Sequence, residues 1–351
     1  MKETYIYAGG GRLAGKPQTC GGIFRLRPGD DHFEKLSNGM PKDNDVYAIT
    51  IHPQNPEVVF AGTKLGLYRS LDRGDHWQAL GLPGPSVEIW SLLVHPGNPR
   101  LLYAGASPVA AFRSDDNGDH WRRLPDPMIS NRVPMPFACR VMRFGADPHN
   151  ADELYAVLEV NGVMRSRDGG ESWEDCSAEL IRFAEQPRYK NHLLTEVEAE
   201  GMLDGHALCV SATEPATVYL AVRMGLFRSA DHGLTWSDME IGRFSPLTYG
   251  RDIRIAPQDP HVMYACLSPA ARSETGAIYR SQDDGASWRQ FLHSVTPRAT
   301  MMSVALHPRD SSQVYGVSRC GQVFGTQDGG ATWHEFLMPE GCHDVYTLAC
   351  A

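Results

Sequence analysis

Short apolar runs separated by polar turns recur along the whole chain, and they recur in a fixed order. Val46-Tyr47-Ala48-Ile49-Thr50-Ile51 is followed by the turn His52-Pro53-Gln54-Asn55-Pro56, then by Val58-Val59-Phe60-Ala61-Gly62, then by Gly66-Leu67-Tyr68-Arg69. Runs of β-branched and aromatic residues bounded by Pro, Gly and Asn predict strands. The order returns at Ile89 to Val94 with His95-Pro96-Gly97-Asn98-Pro99, and at Ser303 to Leu306 with His307-Pro308. Val141 to Gly145 with Asp147-Pro148, Ala207 to Ser211, and Ile253 to Ala256 with Pro257 fill the places between. Each unit closes with a tight turn and a fourth short strand. Four-stranded units of about 40–50 residues predict propeller blades.

The closing turn is the most regular stretch in the chain. Its skeleton is Ser/Thr-x-Asp-x-Gly-x-x-Trp, carried by Ser70, Asp72, Gly74 and Trp77 in the first full copy and by Thr326, Asp328, Gly330 and Trp333 in the last. Six of the seven tryptophans occupy this slot, 44 to 63 residues apart, and only Trp90 lies elsewhere. An Asp in a turn accepts hydrogen bonds from backbone N–H groups a few residues on, Ser or Thr does so more weakly, and Gly supplies a positive φ. The pattern resembles the Asp-box (bacterial neuraminidase) repeat. In that family the box sits between the third and fourth strands of a blade, away from the ligand face. The resemblance therefore implies structural aspartates, and none of them is expected to be catalytic.

A seventh blade is split between the ends. Tyr5 to Gly9 matches a second strand, Gly22 to Leu26 a third and His32 to Leu36 a fourth, with Phe33 in the Trp slot of a decayed box. His343-Asp344-Val345-Tyr346-Thr347-Leu348 copies Asn44 to Ile49 and supplies the missing first strand. The expected fold is all-β: one seven-bladed propeller closed by pairing the C-terminal strand with the N-terminal blade, which removes an open sheet edge. The blades are placed at 5–36 with 344–351, 45–80, 88–124, 138–176, 206–239, 250–291 and 301–336. An insertion spans 177–205.

The formal charge of −9 argues against a nucleic-acid partner, which would want a basic stripe. No run approaches the ~18 apolar residues of a membrane span, so no membrane partner is expected. Met1 to Tyr7 leads straight into a strand without an apolar signal core, which reads as cytoplasmic. Eight cysteines without a Cys-x-x-Cys pair read as free thiols.

Fold alone does not give chemistry. A propeller ligand usually sits at the pore mouth on the face opposite the Asp boxes. Counting back from the first strand's closing turn gives a ring of leading residues there: Asp45, Glu88, Arg140, Asp204, Tyr249 and Thr300, with Asp344 by similarity. Two residues on, a second ring reads Tyr47, Trp90, Met142, His206, Arg251, Met302 and Tyr346. The loops between second and third strands add Arg12, Lys16, Lys64, Glu159, Arg223, Arg272 and Arg319. Such a funnel suits a small polar ligand, anionic or sugar-like. The alternative is that the acids and arginines pair with one another around a water-filled channel.

His206, Arg251, Asp252, Asp204, Asp344 and Asp45 are the candidates for catalysis. Glu88, Trp90, Arg140, Tyr47, Tyr346, Lys64, Arg223, Arg319 and His343 are candidates for ligand binding. His206 is read either as a general base or metal ligand, or as a packed, hydrogen-bonded residue. A divalent metal is a candidate cofactor, with His206 and His343 as its ligands. The histidines His52, His95 and His307 each precede a Pro in the same turn and read as structural. Ala178 to Ala184 and Leu193 to Met202 look helical, which makes the insertion a lid, a partner-docking element or decoration. The Pro- and Met-rich stretch Pro125 to Phe137 extends the same rim.

Sialidases resemble the repeat, but their Phe/Tyr-Arg-Ile-Pro motif is matched only superficially by Phe24-Arg25-Leu26-Arg27-Pro28. Xyloglucan-degrading Asp-box enzymes carry an acid where Thr63-Lys64-Leu65-Gly66 places Lys64. Seven-bladed photosystem II assembly factors are similar across nearly the whole chain at the level of the repeat. Two expectations follow. One is an enzyme or small-ligand binder at the pore mouth, hydrolase- or lyase-type; the other is a non-catalytic assembly propeller using the rim and the insertion. Oligomerisation stays open under both.

Overall fold

The computed structural model of the chain describes residues 3–12, 21–129, 132, 137–189, 203–291 and 294–351. Seven four-stranded antiparallel sheets follow one another around a ring, each a simple up-and-down meander. The innermost strands are Val46–Ile51, Glu88–Val94, Val141–Ala146, Gly205–Val210, Tyr249–Ala256, Met301–Leu306 and Val345–Cys350. Each packs against the next, and the last returns to the first. Val345–Cys350 pairs with Ile6–Gly10, so the N-terminal blade is completed by the C-terminal strand. Tyr5 and Ala351 exchange backbone hydrogen bonds of 2.9 and 3.1 Å at that seam. Among the described residues no helix is long and apolar enough to cross a membrane.

In a meander the first and third turns of a blade fall at one end of the strands and the second turn at the other. The Ser-x-Asp-x-Gly-x-x-Trp turns therefore share an end with the His52, His95 and His307 turns. In the first copy Ser70 Oγ donates to Asp72 and accepts from Gly74 N at 2.7 Å, while Asp72 Oδ1 accepts from His76 N at 2.8 Å. His95 Nδ1 accepts from Gly97 N and Asn98 N, and His52 and His307 cap their turns in the same way. The shared histidines hold turns.

Blades are stitched at this end by the arginine before the turn. Arg25, Arg69 and Arg113 donate to the carbonyls of Arg73, Asn117 and Gly169 in the following blade. Those acceptors are left-handed residues at φ 59°, 63° and 68°. Arg25 is fully buried and also meets Glu34 and Asp75, which ties the blade lacking a complete box to its neighbour. Each tryptophan then packs back against the preceding blade: the Trp77 N–H bonds Asn38 O, and Trp236 Nε1 bonds Cys176 O at 2.8 Å. Glycine in the second strands permits close approach along the ring, since a Cβ on Gly62 would stand 2.8 Å from the Ile89 carbonyl.

The insertion begins with the predicted helix, Ala178–Ala184, followed by a 3₁₀ turn at Pro187–Tyr189. Leu180 and Ala184 are buried with Phe227 and Trp236, and Phe183 and Tyr189 pack against the same cluster. This first part is thus core between two blades. The second expected helix, Leu193 to Met202, lies outside the described residues, as does most of 130–136.

Candidate functional site

Register irregularities mark out the channel. In all seven blades the ladder between first and second strands steps over one residue: Tyr47, Trp90, Met142, His206, Arg251, Met302 and Tyr346. A bulge leaves its extra residue unpaired and re-aims its side chain. Here all seven are turned into the channel, where they line a constriction of about 30 Å³, room for about one or two waters. The second ring expected from the repeat is this ring.

The leading ring stands just above it. The N–H groups of Lys64, Glu159, Arg223 and Arg319 bond the carbonyls of Asp45, Arg140, Asp204 and Thr300, which sets each loop beside its own leading residue. Three leading acids hold the polar tip of the bulged residue two positions on. Glu88 accepts from Trp90 Nε1 at 3.1 Å, Asp344 from the Tyr346 hydroxyl at 3.0 Å, and Asp204 lies 3.2 Å from His206 Nε2.

The wall from the first to the fourth blade is satisfied internally. Tyr47 stacks on Trp90 at 3.8 Å and 7°, and the Arg140 guanidinium lies 4.0 Å from the same ring. Both faces of the indole are therefore covered, and Tyr346 abuts the stack edge-on. Asp45 accepts from Arg12 N and Nε at 3.1 and 3.4 Å, and Asp344 from Arg319 Nε at 2.6 Å. Trp90, Tyr47, Asp45, Asp344 and Arg319 thus already have partners within the protein. Lys64 and His343 are exposed at the rim.

The wall from the fourth to the sixth blade is different. Arg140 Nε meets Glu159 Oε2 at 2.6 Å. Burial raises Glu159, and neighbouring Asp204 adds to it; Arg140 and Arg251 oppose, leaving the carboxyl at about 7. Asp204 goes the other way. Burial raises it, but His206, Arg251 and Arg223 outweigh that and hold it below the usual range. His206 Nδ1 lies 2.7 Å from Gly250 O, and its Nε2 lies 3.0 Å from the Tyr249 hydroxyl and 3.2 Å from Asp204 Oδ2. Arg223 and Arg251 are half-buried, and among the described residues neither guanidinium has an ion-pair partner.

Asp252 is not in the funnel. It is fully buried, and its carboxylate accepts from Arg254 Nε (3.0 and 3.2 Å), Ser303 Oγ (3.0 Å) and Val304 N (3.2 Å), with Arg143 at 3.5 Å. The bulge at Arg251 turns one neighbour into the channel and seals the other between strands. A signal for this lay in the repeat. At the position after each bulge stand Ala48, Ser91, Arg143, Ala207, Asp252, Ser303 and Thr347, and the two charged residues there are of opposite sign. Glu159 was legible only as a rim residue, because its shift comes first from burial in the folded wall, with Asp204 from another blade adding to it. Among the described residues no group of three His, Cys, Asp or Glu is placed to hold a metal ion. His206 is committed to Gly250, Tyr249 and Asp204, while His343 is exposed.

The sequence profile of the Sortilin-Vps10 family (sortilin, neurotensin receptor 3) matches residues 276–349. No curated protein matches the sequence. Among solved structures, the GH74 xyloglucanase from Xanthomonas campestris is similar at 19% identity and a TM-score of 0.61, over 83% of this chain and 45% of that one. The GH74 enzyme of Niastella koreensis is similar at 16% identity and 0.59, again over 45% of its length. YCF48 bound to D1 peptide is similar at 15% identity and 0.55, over 93% of this chain and 87% of that one. The chain thus spans less than half of the two GH74 enzymes and most of YCF48, and at these identities the likeness is one of fold: a seven-bladed β-propeller.

Proposed function

We propose that the channel mouth between the fourth and sixth blades binds a small anionic or sugar-like molecule, as an enzyme of hydrolase or lyase type or as a small-ligand binder. The observation that carries this reading is the pair of half-buried guanidiniums, Arg223 and Arg251, without an ion-pair partner among the described residues, in a rim where Arg12 and Arg319 are matched by carboxylates. Two such groups hold an anion by charge-assisted hydrogen bonds. Beside them burial and neighbouring charges drive Glu159 and Asp204 apart, Glu159 up to about 7, where it can give or take a proton, and Asp204 below the usual range, which is the division of labour an acid and a base require. His206, buried between Asp204 and Tyr249, is a second group able to move a proton.

The fold neighbours include an enzyme named for xyloglucan and a protein bound to a peptide, so the fold accommodates both substrate and partner. A partner-binding reading has its own observation. Leu65, Ile129 and Phe137 are exposed apolar side chains on the loops of this same face.

Thermal unfolding against a panel of small carboxylates, phosphates and sugar acids tests the first reading. A ligand at 100 times its Kd adds about 2.7 kcal/mol of stability. The expected result is a shift with at least one anion that Arg251→Met abolishes, followed by turnover that Glu159→Gln removes. No shift with any anion, together with capture of a protein partner lost on Leu65→Ser and Phe137→Ser, would replace it with the second.

A further inference from the structure

Below the constriction the channel widens. At the turn end the innermost strands surround a cavity of about 410 Å³, inside the roughly 300–1,000 Å³ range of small-molecule sites. The position four residues beyond each bulge faces it: Ile51, Val94, Val210, Ile255 and Leu306 supply an aliphatic ring from five blades, all half-buried. Half-buried aliphatic side chains lining a concave space leave apolar surface for a ligand to cover. No Asp or Glu is among the described lining residues, whereas Arg143, Arg254 and Arg309 are.

The charges at the floor do not balance. One carboxylate, Asp252, faces two guanidiniums, Arg254 at 3.0 Å and Arg143 at 3.5 Å. Ser303, Val304 and Ile253 take up more of its accepting capacity. Among the described residues no acceptor meets the buried Arg143 Nε. Burial and the charge of Arg254 pull the Arg143 guanidinium down to about 10 in spite of Asp252, with Arg251 adding to the repulsion. Both side chains are partly exposed, Arg143 at 26% and Arg254 at 34%, so their surplus positive charge is open to an anion in the cavity.

We infer that this turn-end cavity is a second ligand site, for a small amphipathic carboxylate whose hydrocarbon part lies on the aliphatic ring and whose head reaches Arg143 and Arg254. A neutral apolar ligand would leave Arg143 Nε without an acceptor. A small inorganic anion would leave the ring uncovered. The site is separate from the mouth, because the constriction between them has room only for about one or two waters.

The probe is decanoate, with acetate and decanol as its head and tail alone, on the full chain carrying ¹³C-labelled isoleucine methyls. Decanoate is expected to shift the Ile51 and Ile255 methyl signals saturably, with acetate and decanol each at least about tenfold weaker. Arg143→Met should weaken decanoate by a similar factor, and Arg223→Met, at the other mouth, should leave it unchanged. Decanol binding as tightly as decanoate, or no saturable shift at Ile51 and Ile255, overturns the inference. So does Arg143→Met with undiminished affinity; should that variant fail to fold, the head-and-tail series on the unaltered protein decides alone. Loss of the mouth ligand in Arg223→Met with decanoate binding retained would separate the two sites.

Discussion

Glu159 and Asp204 stand in one wall of the mouth and respond to it in opposite directions, and this has a consequence for stability. A carboxyl raised in the folded state from its ordinary value of 4.5 to about 7 favours folding only while it stays protonated. Its contribution is complete below pH 4.5 and is lost as pH rises through 7, a span equivalent to about 3 kcal/mol. Chemical denaturation between pH 5 and pH 8 should show the natural chain losing more stability than Glu159→Gln by an amount of that order. Equal slopes in the two proteins would mean that Arg140, 2.6 Å away, keeps the group ionised throughout. At this scale the sequence was legible wherever the repeat supplied a comparison. Counting from the turns found all seven channel-lining residues, because every blade bulges at the same step. It did not show which charges were already matched, since Arg12 with Asp45 and Arg319 with Asp344 join different blades through loops of unequal length. Nor did it separate Arg251 from Asp252, adjacent residues that the bulge sends to a wet channel and a dry interior.

Among elements, the repeated turn with its tryptophan is the joint between blades. Trp236 and Trp288 are buried to 4% and 2% exposure, whereas Trp121, Trp173 and Trp333 are only half-buried. Truncating a buried aromatic costs about 3–5 kcal/mol through lost contacts and a residual cavity. Trp236→Ala should fall in that range, and Trp173→Ala should cost clearly less, in equilibrium unfolding of each variant. Similar losses would show that the turn itself, with Asp168 and Ser166, matters more than the ring it presents. The strands and turns were legible because local chemistry dictates them: Asp, Gly and Ser at fixed offsets admit few other conformations. The insertion was less so. Ala178–Ala184 forms the expected helix, but its apolar face closes a seam between blades, and only the position of Phe227 and Trp236 in space reveals that.

Across the whole molecule, the sequence disclosed the ring through its repeats and through the likeness of the two ends. The unequal ends of the channel were not disclosed, because aliphatic residues late in a strand look alike whether they meet a neighbour or an opening. The seam at Tyr5 and Ala351 closes the ring by strand pairing within one shared blade, and a ring closed in this way is expected to tolerate a different starting point so long as one blade is still shared between the two ends. Circular permutants make the point testable. Joining residue 351 to residue 5 and opening the exposed turn between Gln54 and Asn55 would divide another blade in the same way. Opening the exposed loop between Gly84 and Pro85 would leave every blade whole, with no strand pairing across the cut. The first permutant should melt close to the natural chain and the second several degrees lower; equal melting temperatures would mean that packing between blades closes the ring unaided. Permuted this way, the propeller becomes a scaffold whose ends can be brought to either mouth.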